Sequence, residues 1–122
     1  MQTFLIGRFI MNFVHFEGNV VAEPEIKTVG AKDSKVAEFR IAVNHYMGQD
    51  KQETAFFDVN AWGYQADYCE GVNLSKGDRV VLTGRLQEKT WEDKETGKKR
   101  SRFVLVPNRV AKAVKVEAAA AF

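Results

Sequence analysis

The sequence predicts an all-β domain: a small barrel of five strands, with one short helix between the third and fourth. Three observations carry that reading. Five stretches, 11–22, 36–46, 53–63, 79–91 and 100–107, mix apolar and polar residues at the two-residue period of half-buried strands. The period lapses once, over 64–78. Clusters of Gly and polar residues separate the stretches at hairpin spacing. The chain has 122 residues, 45% of them hydrophobic, which suits one globular domain with a modest core.

The elements follow in order. "MNFVHFEGNVVA" reads as the first strand, with Gly18 as a bend or bulge. "EPEIKTVGAKDSK" holds Pro24 and Gly30 and reads as a loop, with a short strand at 26–29. In "VAEFRIAVNHY", Phe39, Ile41 and Val43 face one way, and Glu38, Arg40 and Asn44 the other. "MGQDKQE" turns the chain into "ETAFFDVNAWG", so 36–63 is a long hairpin. Across 64–78, Ala66, Tyr68 and Cys69 suggest a short helix stopped near Gly71, and Lys76-Gly77-Asp78 a turn. In "RVVLTGRLQEKTW", Val80, Leu82 and Leu86 point inward and Arg79, Arg85 and Lys89 outward. "EDKETGKK" is a polar hairpin tip in which Gly97 suits positive φ. "RSRFVLVP" is the last strand, which Pro107 is expected to end. Five antiparallel strands leave no long edge uncovered only by closing, and three strands, a helix and two strands is the order of an OB-fold.

Much chemistry is missing. The single cysteine, Cys69, permits no internal disulfide and no cysteine-only metal cluster; it reads as a buried filler in a chain kept in a reducing, cytoplasmic compartment. No zinc set, Walker loop, nucleophile elbow or dinucleotide fingerprint occurs, so neither an enzyme nor a cofactor or metal site is expected. Apolar runs fall far short of the roughly 18 residues of a membrane span. The start lacks a charged leader and a small-residue cleavage site, which argues against a signal peptide.

Charge is uneven. Residues 1–60 carry six basic and eight acidic side chains, whereas 76–115 carry twelve basic against five acidic, a net of +7. That local field favours anionic partners. On the third strand Thr54, Phe56, Asp58, Asn60 and Trp62 share the face that should meet water. Two readings are open for its aromatics: packing under a loop or partner subunit, or stacking platforms for bases. Trp91 stands on its own strand among Arg79, Arg85 and Lys89, and the tip beyond adds Lys94, Lys98, Lys99, Arg100 and Arg102. Aromatics interleaved with cations on several outer faces fit a single-stranded nucleic-acid groove better than a random surface.

The chain resembles bacterial-type single-stranded DNA-binding proteins over residues 11 to about 110. "MNFVHFEGNVVAEPE", "FRIAV", "ETAFFDVNAWG" and "LSKGDRVVLTGRLQEKTW" carry the likeness. The resemblance implies an OB-fold that assembles as a homotetramer and binds single-stranded DNA (ssDNA) in replication, recombination and repair. It implies stacking on Phe56, Trp62, Trp91 and either Tyr46 or Met47, of which Tyr46 is preferred. Arg79, Arg85, Lys89, Lys98, Lys99, Arg100 and Arg102 would take phosphates. Subunits would pair through first strands, using Phe13, His15 and Glu17. Residues 1–10 would form an N-terminal extension, 11–110 the DNA-binding domain and 111–122 a short tail. That tail lacks the acidic tip with which the family recruits replication and repair enzymes, so such recruitment is in doubt. The rival readings are a dimeric, tailless replication-restart accessory that binds ssDNA and proteins, and, less favoured, an RNA- or oligosaccharide-binding OB domain.

Overall fold

The computed structural model describes residues 11–113. The expectations for residues 1–10 and for the tail from 114 onward lie outside the described residues. The strands are β1 (Val14–Val20), β2 (Glu25–Val29), β3 (Ser34–Gly48), β4 (Lys51–Trp62), β5 (Arg79–Glu92) and β6 (Lys99–Lys112), and α1 (Tyr64–Gly71) lies between β4 and β5. Five of them close in the order β1-β5-β6-β4-β3, and β3 returns to β1 through Asn19↔Ala42 and Val20↔Ile41. β2 pairs with Ser34 to Glu38 on the edge of β3 opposite β4, the same edge that meets β1 further along. All pairings are antiparallel except β4 with β6, which is parallel and registers only Asp58↔Val104 and Val59↔Leu105. This is the five-stranded OB barrel that the sequence predicts, with the short strand at 26–29 added.

The inward positions of the alternating stretches make the core. Phe39 and Ile41 of β3, Val59 and Ala61 of β4, Val80 and Leu82 of β5 and Leu105 of β6 are buried together, with Phe16 stacked on Phe57 at 4.5 Å between ring centroids. Each large aliphatic side chain buried here contributes about 1.5–3 kcal/mol relative to exposure. Ala66 and Cys69 of α1 join the same cluster. A polar clasp seats the helix. Gln65 donates to the Asn108 carbonyl at 2.8 Å and accepts from the Val110 amide at 3.1 Å, and the Tyr68 hydroxyl accepts from the Lys112 amide at 2.9 Å.

Two glycines permit the closure. A Cβ on Gly18 would stand 2.7 Å from the Ala42 carbonyl oxygen, where β1 meets β3. One on Gly84 would stand 2.2 Å from the Val106 carbonyl oxygen. Gly18 therefore makes no bulge: it pairs regularly with Val80, and its missing side chain lets the strands touch. The bulge is on β6, where Asn108 is the extra residue between Thr83↔Arg109 and Gly84↔Pro107. It also corrects the expected end of the last strand. Pro107 does not stop β6, because the bulge takes up the ladder position that its missing N–H would break, and pairing runs on to Lys112.

Candidate nucleic-acid interface

Strand register decides which side chains share the outer face. The β3–β4 hairpin turns at Gln49-Asp50, both at positive φ, between Gly48 and Lys51. Two residues at positive φ make the tight turn whose twist suits paired strands. A one-residue irregularity at Met47 then sets Tyr46 opposite Gln52, Arg40 opposite Asp58, Ala42 opposite Phe56 and Val36 opposite Trp62. Opposed residues point the same way, so Arg40, Phe56, Asp58, Asn60 and Trp62 lie on one outer face. On the other hairpin Lys89 is opposite Arg102 and Trp91 opposite Arg100. The parallel β4–β6 contact joins the two hairpins and makes the face continuous.

Phe56, Trp62 and Trp91 are 52%, 38% and 46% exposed. Phe56 has the Arg40 guanidinium carbon 5.2 Å from its ring centroid, and Trp91 has that of Arg102 at 5.9 Å. Both distances suit cation–π attraction. The small Ala42 opposite Phe56 leaves that flank of the ring open to Arg40. Asn60 departs from the sequence reading. It was expected on the wet side and is only 4% exposed. Its carboxamide oxygen accepts from Lys89 Nζ at 2.7 Å and its nitrogen donates to the Val59 carbonyl at 3.0 Å.

Carboxylates hold several cations. Arg100 Nε is 2.8 Å from Asp93 Oδ2, Arg102 is 3.5 Å from Asp58, and Arg79 is 2.8 Å from Glu17. Asp93 also shapes the hairpin tip: its Oδ1 accepts from the Glu95 amide at 2.9 Å, and Gly97 adopts a φ of 70° as its sequence position predicts. Lys98 and Lys99 stand exposed beside this turn. Lys27 is 2.6 Å from Glu38, whose hydrogen bond raises the lysine pKa above its ordinary value.

Phe56, Trp62, Trp91, Lys89, Arg100 and Arg102 thus come together, with Lys98 and Lys99 at one end. Tyr46, 75% exposed, lies further along β3. It shares a separate cleft of about 230 Å³ with Arg79, beside the β1–β3 seam. Arg85, opposite Val106, has no carboxylate partner among the described residues. His15 and Glu17 lie across from Thr83 and Val81, and His15 Nδ1 is 2.8 Å from the Thr83 hydroxyl. Phe13 stands exposed just before β1. Sequence reasoning placed Arg40, Asp58 and Asn60 on outward positions but named none of them as a site residue. The alternation of "VAEFRIAVNHY" was a signal for Arg40, but a hairpin register counted from the turn alone would set it opposite inward Val59. Only the irregularity at Met47 restores the match.

An outer face of stacking-sized aromatics beside guanidinium groups, on an OB barrel, defines the class of oligonucleotide-binding domains. The single-strand binding protein family model matches residues 11–113, and the chain belongs to that family. It is 38% identical over 99 residues to the single-stranded DNA-binding protein of Corynebacterium glutamicum, a match covering 76% of this chain and 43% of the relative. Single-stranded DNA-binding protein 1 of Synechocystis is 29% identical over 100 residues, covering 82% and 81%. The chain therefore spans less than half the length of the first relative and most of the second. Among solved structures, the Plasmodium falciparum SSB complex with ssDNA shares the fold, with a TM-score of 0.75 at 20% identity over 87% of this chain and 97% of that one.

Proposed function

We propose that this chain binds ssDNA through base stacking and phosphate contacts, and protects and organises it in replication, recombination and repair. Bases stack on Phe56, Trp62 and Trp91, with Tyr46 as an outlying platform. Lys89, Lys98, Lys99, Arg100 and Arg102 take the neighbouring phosphates, and Arg79 and Arg85 serve a longer path. The observation that carries this reading is the pairing of exposed rings with guanidinium groups, Arg40 with Phe56 and Arg102 with Trp91, on one continuous face. Stacking contributes about 1–3 kcal/mol per base and tolerates any sequence. Family membership and the names of the relatives point the same way.

Assembly as a homotetramer through β1 belongs to the same proposal. Within the described chain, β1 pairs with β3 only at Asn19 and Val20 and touches it at Gly18, so the preceding residues of β1 keep one edge free for a second strand. Phe13, His15 and Glu17 would then meet a partner. The test of binding is tryptophan emission during titration with poly-dT. Trp62 and Trp91 should be strongly quenched, and unchanged emission at saturation would remove the stacking mechanism.

A further inference from the structure

On β4 the two rings Phe56 and Trp62 are six residues apart, about 20 Å along the strand. Between them the outer face opens into a cleft of about 300 Å³. Four carboxylates line it, Glu23, Glu25, Glu38 and Asp58, against two guanidinium groups, Arg40 and Arg102. Buried Asn60 adds a carboxamide to the lining. The carboxylates do not gather into any set able to hold a metal ion among the described residues. Lys27 stands 2.6 Å from Glu38, which leaves four carboxylates against three cations, so a phosphate entering here would still meet a net negative charge. A base edge would meet both acceptors and donors.

We propose that this cleft takes the hydrogen-bonding edge of one base, and that it favours bases carrying an exocyclic amino group over thymine. The proposal rests on the ssDNA reading above and specifies what the middle of the track recognises. Carboxylates accept from the N4 amino group of cytosine and the N6 amino group of adenine, while guanidinium groups donate to ring nitrogens and carbonyl oxygens. Thymine turns its O4 carbonyl to the carboxylate that would accept from cytosine N4, and two acceptors repel. The charge also sets the course of the strand. Phosphates run along the β5–β6 hairpin, over Lys89, Lys98 and Lys99, and bases beyond the one stacked on Trp91 lean across β4.

The test compares dC and dT oligomers of equal length, titrated by tryptophan quenching at fixed salt. Wild type is set against Asp58→Asn and Glu38→Gln, with Asp93→Asn as a control. The Glu38 and Asp58 side chains are 32% and 33% exposed, so the variants should fold, and a melting curve checks that they do. Every neutralisation should strengthen binding generally, because a carboxylate no longer opposes phosphate. Asp58→Asn or Glu38→Gln should in addition lower the ratio of dC to dT affinity by twofold or more, while Asp93→Asn leaves it unmoved. A ratio that shifts less than twofold in both cleft variants, or equally in the control, would overturn the proposal and leave the ssDNA reading intact. A wild-type chain that binds neither oligomer would overturn both.

Discussion

Phe56 and Trp62 sit on one strand in different company. Phe56 has an arginine over its ring and an alanine opposite; Trp62 has the buried Val36 opposite and ends the strand before Gly63. Replacing either by Ala should weaken ssDNA binding by about 1–3 kcal/mol, measured by titration at fixed salt. Variants that bind like the parent would make these rings packing residues instead. Cys69 supplies a different check. Burial pushes its thiol up to about 11, from an ordinary value of 9.0, because the thiolate would lose its hydration. The folded state therefore holds its proton more tightly than the unfolded state. The stability this gives is complete below about pH 9 and fades as pH rises toward 11. Chemical melts across that window should show the fall, and a Cys69→Ala variant should lack this component. The exposed aromatics Phe56, Trp62 and Trp91 were legible because an aromatic at an outward position breaks a two-residue pattern visibly. Asn60 was not, because its burial depends on Lys89, twenty-nine residues away and on another strand.

Among the elements, the β5–β6 hairpin carries most of the free positive charge. Neutralising Lys98, Lys99 and Arg100 should weaken binding and flatten its salt dependence by about 0.7 log units per log salt for each phosphate no longer neutralised. Arg100 has Asp93 as a rival for any phosphate, so Lys98 and Lys99 should account for more of the change. Salt titrations of the single and triple variants measure it, and an unaltered slope would take the strand elsewhere. Alternation and turn residues placed every strand, and Gly71 placed the end of the helix. Pro107 misled because the sequence marks the residue but not the Asn108 bulge that accommodates it. Gly18 misled as a bulge for a related reason: the glycine is plain, but whether it interrupts a ladder or admits a neighbour depends on where β3 arrives.

At the scale of the whole molecule, the barrel itself was legible, since so few strands at this length must close. The number of copies was not, because a free β1 edge becomes an interface only in the company of another chain. Light scattering of the chain alone and with oligonucleotide should give a tetramer; a stable dimer would shift weight to the replication-restart reading. The parallel β4–β6 contact has a consequence of another kind. Each hairpin forms from neighbours in sequence, whereas Asp58 must find Val104 across a long intervening segment, and the β1–β3 seam registers only two residue pairs. Such distant pairings are slow, because loop closure precedes any gain from contact. The two hairpins should therefore fold early and the barrel close last. A nucleic-acid strand lying with its bases over β4 and its phosphates over β5 and β6 would span that late contact, binding only the closed form and raising its population by mass action. The ligand would then be a suture, holding shut the joint that the chain is slowest to make.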